Sequence, residues 1–184
     1  MCIRDRCLDR GEEGIYFRAD GDIDIDVDTG DFKIITLGDC ESCTGIWAYS
    51  ESDGAVTVTM TGDITTSGND SEGILAQSNS GDIGITLHGG TITSAKFPGV
   101  RIVNGDDNRL AIYDEVTISG GTYDILGGDD NEAIDNYGTL TALGDINLGG
   151  GSNAFDNHAG ATFNSGATVY LLSLIHISEP TRPY

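Results

Sequence analysis

Carboxylates at every second position are the first chemistry this chain offers. Asp22, Asp24, Asp26 and Asp28 alternate with Ile23, Ile25 and Val27. Alternate side chains of an extended strand share a face at a spacing of about 7 Å, so this ladder lines one face with four carboxylates. Calcium, a hard cation, takes several carboxylate oxygens, which makes these four residues calcium candidates. Neighbours on one face are too far apart to share an ion unless adjacent segments help, and a solvated outer face is the simpler reading. Cys40-Glu41-Ser42-Cys43 is a C-x-x-C pair. A redox pair of this type opens a helix in a βαβ unit, and structural zinc needs about four ligands. The flanking sequence offers neither, which leaves a small loop disulfide between Cys40 and Cys43, or two thiols.

The remaining constellations are sparser. Arg101, Asp106, Asp107 and Arg109 are a close mixture of both signs, the minimum a polysaccharide lyase or hydrolase would need beside its substrate. A charged loop between two structural repeats explains them more simply. Trp47 and Tyr49 stand two apart, share a face if extended, and form a possible ligand platform of the kind sugars stack on. The stretches 127–135 and 149–156 are Gly- and Asp-rich, but neither keeps the residue order of a calcium nonapeptide repeat. His88 and His158 have no companions at ligand spacing and read as surface positions. Nucleophile-elbow and phosphate-loop motifs are missing, and Asn164-Ser165-Gly166 reads as a turn. No catalytic residue and no cofactor is therefore assigned, and the chain is read as non-enzymatic.

The charge balance narrows the partners. Thirty acidic residues against nine basic ones leave a net charge of −21. Nucleic acid is bound through cations that displace counterions, and anionic membranes attract cationic segments, so neither is an expected partner. No apolar run between residues 7 and 171 reaches the roughly 18 residues of a spanning helix, so no direct membrane insertion by this segment is expected.

The two ends differ from everything between them. One DNA string, ATGTGTATAAGAGACAG, encodes Met1-Cys2-Ile3-Arg4-Asp5, and its reverse complement encodes Leu172-Ser173-Leu174-Ile175-His176. Both ends resemble translated sequencing adapter, with 177–182 as its continuation. The expected organisation is an adapter-derived stretch at 1–6, a native segment at 7–171 that is an internal piece of a longer reading frame, and a second adapter-derived stretch at 172–184.

What would position these side chains is a repeat. A small residue followed by an apolar residue and a polar tail recurs at Gly14-Ile15, Gly45-Ile46, Gly73-Ile74, Gly99-Val100, Ala133-Ile134 and Ala154-Phe155. The apolar anchors are 31, 28, 26, 34 and 21 residues apart. A second phrase, Gly-Asp/Thr-apolar, recurs at Gly30, Gly62, Gly90 and Gly121 with gaps of 32, 28 and 31. Between these phrases lie strictly alternating runs such as Val56, Val58 and Met60 against Thr57, Thr59 and Thr61. Period-2 alternation puts one face inside and one outside, and no stretch of helical periodicity accompanies it. A β-sandwich also uses short alternating strands, but it does not require successive segments to resemble one another. Stacked coils do, because equivalent positions see equivalent neighbours. The expected fold is all-β: a right-handed parallel β-helix (β-solenoid) of about six turns, roughly 28 residues each.

Residues 62–80, with Gly62-Asp63-Ile64-Thr65-Thr66 followed by Gly73-Ile74-Leu75-Ala76-Gln77-Ser78, resemble the passenger region of autotransporter outer-membrane proteins. Residues 134–171 resemble another passenger turn, through Ile134-Asp135-Asn136 and the run from Gly149 to Val169. The resemblance covers about residues 44–171 and rests on repeat signatures. It implies a Gram-negative protein at the cell surface or outside the cell, held to the outer membrane by a C-terminal β-barrel that is absent from this segment. It implies a stalk or adhesin role, with a host or environmental surface ligand as partner. A carbohydrate-active β-helix enzyme and a calcium-stabilised adhesive module are the alternatives.

Overall fold

The computed structural model describes residues 14–36 and 43–171. Both ends read as adapter, and Cys40, lie outside the described residues. Every strand pairing is parallel, and the chain winds through two sheets in alternation. The first sheet, face A, contains β1 (Ile15–Ala19), β3 (Ile46–Ser50), β5 (Ile74–Ser78), β7 (Val100–Val103), β9 (Ile125–Leu126), β12 (Ile146–Asn147) and β15 (Val169–Tyr170). The second contains β2 (Ile23–Thr36), β4 (Val56–Thr66), β6 (Ile83–Ser94), β8 (Asp107–Ser119), β10 (Asn131–Asn136), β11 (Thr139–Ala142), β13 (Ala154–Asn157) and β14 (Thr162–Ser165).

The second sheet is bent into two faces. Register shifts at Asp28/Lys33, Met60/Ile64 and His88/Gly90 divide the long strands into a leading half, face B, and a trailing half, face C. The bend falls on Gly62 and Gly90, whose φ values of 113° and 106° disfavour any side chain. In the next coil Tyr137 and Gly138 break the strand outright, so that β10 and β11 are the two halves. Each coil thus has three sides around one interior.

Inward columns on each of the three faces fill that interior, and one on each face illustrates the register. On face A, Ile15, Ile46, Ile74, Val100, Ile125, Ile146 and Val169 stand in register. On face B the column is Ile25, Val58, Ile85, Leu110, Ile134 and Phe155. On face C it is Ile34, Ile64, Ile92, Ile118 and Ala142. Ile46, Ile74, Val100 and Ile125 are completely shielded from water. Each such side chain contributes about 1.5–3 kcal/mol relative to an exposed one, and the columns merge into one continuous core.

The fold class read from the repeat is the one observed, a parallel β-solenoid, with two corrections of register. Val100 is followed on face A by Ile125, not by Ile134; Ile134 and Phe155 pair with each other on face B. The true face A spacings are 31, 28, 26, 25, 21 and 23 residues, so the coil shortens along the chain. In the second phrase, Gly62 and Gly90 do stack, but Ile64 pairs with Ile34 and Ile92 with Ile118, which leaves Gly30 and Gly121 out of step. The six rungs of face B are separated by five steps and the seven of face A by six, so the described residues make five to six turns, against the about six expected. Asn164-Ser165, read as part of a turn, closes strand β14 instead.

Candidate functional site

Face B carries the densest chemistry on the outer surface. His88 of β6 pairs with Tyr113 of β8, and one and two coils later Tyr137 and His158 follow at the same corner. Their rings stack with centroids 5.0, 5.0 and 4.0 Å apart and planes within 14° of one another. Parallel strands lie about 4.8 Å apart, so aromatic residues recurring once per coil meet at stacking distance without further adjustment. Tyr113 and Tyr137 are each stacked on both sides and remain exposed to solvent.

An ionic network braces this stack. Arg109 Nε donates to Asp135 Oδ2 at 2.7 Å, and its Nη2 donates to the Tyr137 hydroxyl at 2.8 Å. His158 Nε2 lies 2.7 Å from Asp135 Oδ1. Burial pushes the Asp135 carboxyl up, but the hydrogen bonds from His158 and Arg109 and the charge of Arg109 outweigh it and hold it below the usual carboxylate range. The same Asp135 hydrogen bond pushes Arg109 up. Each Asp135 oxygen is thus engaged once within the network. The strip presents hydroxyl, imidazole and guanidinium groups, which suit the recognition of a polar ligand.

Trp47 and Tyr49 do share an outward face, that of β3. Tyr16 of the preceding coil packs on Trp47, with centroids 4.8 Å apart and planes tilted by 49°. The Arg18 guanidinium sits 5.8 Å from the Tyr49 ring centre and pairs with Glu51. The Trp47 indole N–H is buried and has no hydrogen-bond partner.

Arg101, Asp106, Asp107 and Arg109 are not one cluster. Arg101 points outward from face A and donates to Glu72 Oε1 at 3.0 Å. Arg109 belongs to face B, and Asp106 and Asp107 mark the corner between the faces, where Asp107 accepts from Asn131. Asp107 and Arg109 share the outer side of β8, whereas Arg101 leaves from face A, so the four residues do not converge.

Asp24, Asp26 and Asp28 line the exposed side of β2, and Asp22 is exposed just before it. The next coil sets Thr57, Thr59 and Thr61 beside Asp24, Asp26 and Asp28, so the adjacent rung brings no second carboxylate there. Asp22 accepts from the Ala55 amide and Asp28 from the Gly30 amide, each at 2.9 Å. Among the described residues no group of three or more His, Cys, Asp or Glu is arranged to hold a metal ion. Cys43 is buried and disulfide-bonded. The stretches 127–135 and 149–156 begin as stacked corners between faces A and B, with the Gly150 amide donating to the Gly128 carbonyl at 2.8 Å, and run on into β10 and β13.

The aromatic ladder escaped the sequence reading, although its signal is present. His88, Tyr113, Tyr137 and His158 are spaced by 25, 24 and 21 residues, the local coil lengths. Three buried carboxylates, Glu72, Asp124 and Glu132, were missed as well. Asp124 is fully buried and accepts from Gly120 and Gly144 of successive coils at 2.7 and 2.6 Å; burial pushes its pKa up against those bonds. Glu132 is 2 % exposed. No family model, curated protein or solved structure matches the chain.

Proposed function

We propose that this chain is a non-catalytic rod segment, a stalk or adhesin portion of an autotransporter-like secreted bacterial protein, whose outer faces meet a host or environmental surface ligand. The observation that carries this reading is the unbroken register of the inward columns across all three faces. A stack of near-identical rungs offers length and a repeating surface. The net charge of −21 supports an external role, because self-repulsion maintains solubility and disfavours anionic partners. The passenger-like phrases at 62–80 and 134–171 support the autotransporter reading, in which attachment comes from a barrel elsewhere in the parent protein.

The face B strip is the part of the surface best suited to contact. The fluorescently labelled chain is expected to bind intact cells or a glycan array, and Arg109→Ala is expected to weaken that binding at least several-fold with the fold retained. Incubation with acidic polysaccharides is expected to give no cleavage. Turnover that disappears in Arg109→Ala would replace this reading with the carbohydrate-active one.

A further inference from the structure

One inward column changes its chemistry midway along the rod. At the start of face B it runs Ile23, Val56 and Ile83, and the next three coils place Asn108, Glu132 and Asn153 there. All three polar residues are buried. The two asparagines serve alike. Asn108 Oδ1 accepts from the Ile83 amide at 3.2 Å, and its Nδ2 donates to Asn104 at 2.8 Å. Asn153 Oδ1 accepts from the Glu132 amide at 2.9 Å, and its Nδ2 donates to the carbonyls of Leu148, Gly149 and Gly150 at 3.1, 3.2 and 2.6 Å. A carboxamide fits because it is neutral and offers both a donor and an acceptor.

Glu132 occupies the same place with a titratable group. Its Oε1 accepts from the Gly128 amide at 3.0 Å and from Asn108 Nδ2 at 3.4 Å. Its Oε2 is buried and has no hydrogen-bond partner. The side chains packed above and below, from β8 and from the corner before β13, are the neutral amides of Asn108 and Asn153. The charged groups acting on it are Asp130 and Asp129 of its own corner, both of its own sign.

We propose that Glu132 is a proton-operated lock on the corner at 127–131: its neutral acid matches the amide ladder and tightens the coil, and loss of the proton loosens it. Burial, reinforced by Asp130 and Asp129 and opposed by the Gly128 and Asn108 hydrogen bonds, pushes its pKa up from 4.5 to about 6. The folded chain therefore holds a proton that the unfolded chain releases. The stabilisation is complete below the unfolded value and is lost as pH rises through about 6. A rise of about 1.5 pKa steps corresponds to about a thirty-fold change in the unfolding equilibrium constant.

Urea unfolding of the full chain and of Glu132→Gln at pH 4.5 and 7.5 tests the lock. The variant is expected to be more stable by about thirty-fold in equilibrium constant at pH 7.5, with the two chains converging to within a few-fold at pH 4.5. A difference of the same size at both pH values, or a variant less stable at pH 7.5, overturns the proposal. Carbon-13 NMR titration of the wild-type Glu132 carboxyl gives a readout that does not depend on the variant folding. A midpoint near 6 supports the lock, and one at or below 4.5 overturns it.

Discussion

Arg109, Asp135 and His158 lie on three successive coils, so their network ties rungs together from outside as the core ties them from inside. Asp135 is mostly shielded, whereas about half of the Arg109 side chain is exposed. Charge-assisted bonds contribute about 1.5–3 kcal/mol when shielded, and solvent screening at Arg109 reduces that to about 1 kcal/mol for the network. Asp135→Asn is expected to lose about that much at pH 7. Asp135 has a depressed folded pKa, so its contribution is present above the ordinary Asp value and is lost as pH falls through the lower folded one. The stability gap between Asp135→Asn and wild type, followed by urea unfolding, should therefore close as the pH is taken below the ordinary Asp range; a gap that persists unchanged down to strongly acidic pH would rule out the ionic account. Glu132 acts in the opposite sense at higher pH, so acidification should first stabilise the rod and then destabilise it.

At the scale of the strand, glycine marks where backbones approach. Gly14, Gly45, Gly73 and Gly99 form a column at the entrance to face A, directly before the apolar anchors. A Cβ on Gly73 would lie 2.4 Å from Ile92 Cγ2 and 2.5 Å from the Gly99 carbonyl oxygen. The obstruction is partly backbone held in the ladder, so it cannot swing aside. Gly73→Ala is expected to cost about 2 kcal/mol or more, read as a drop in thermal midpoint. Gly84 of β6 has nothing within 4 Å of such a Cβ, so Gly84→Ala should be neutral or slightly stabilising. Equal effects of the two substitutions would contradict the stacking. This column is also why the architecture was legible: the Gly-Ile phrase recurs because the same contact recurs. Legibility failed where the coil shortened. Strand β9 has only two residues, so Ile125 lacked the polar tail that marked its predecessors, and Ile134 took its place in the count. The face B strip was hidden for a related reason, because its residues are neighbours only once each coil length is known.

Across the whole molecule the shortening has a physical counterpart in the core. Early coils fill their corners with Val27, Met60, Leu87 and Ile112, and the last two coils place Asn136 and Asn157 in that column. Asn136 donates to Asn157 at 2.7 Å and to the Thr162 carbonyl at 2.9 Å. A tighter coil has less room for apolar side chains, and amides that satisfy the corner carbonyls replace them. Each coil contacts chiefly its two neighbours, so the rod should behave as a chain of separable units.

Removing one whole coil tests that account most directly. Residues 74–99 comprise one register period, from Ile74 to the residue before Val100. Their deletion brings β3 against β7 and β4 against β8 with every inward column preserved. The shortened chain is expected to keep the β-sheet circular-dichroism signal and cooperative thermal unfolding, whereas removing only the first half of that period, 74–86, should abolish both. If the two deletions unfold the chain alike, or the half-coil deletion is the better tolerated, successive segments do not lie in register above one another.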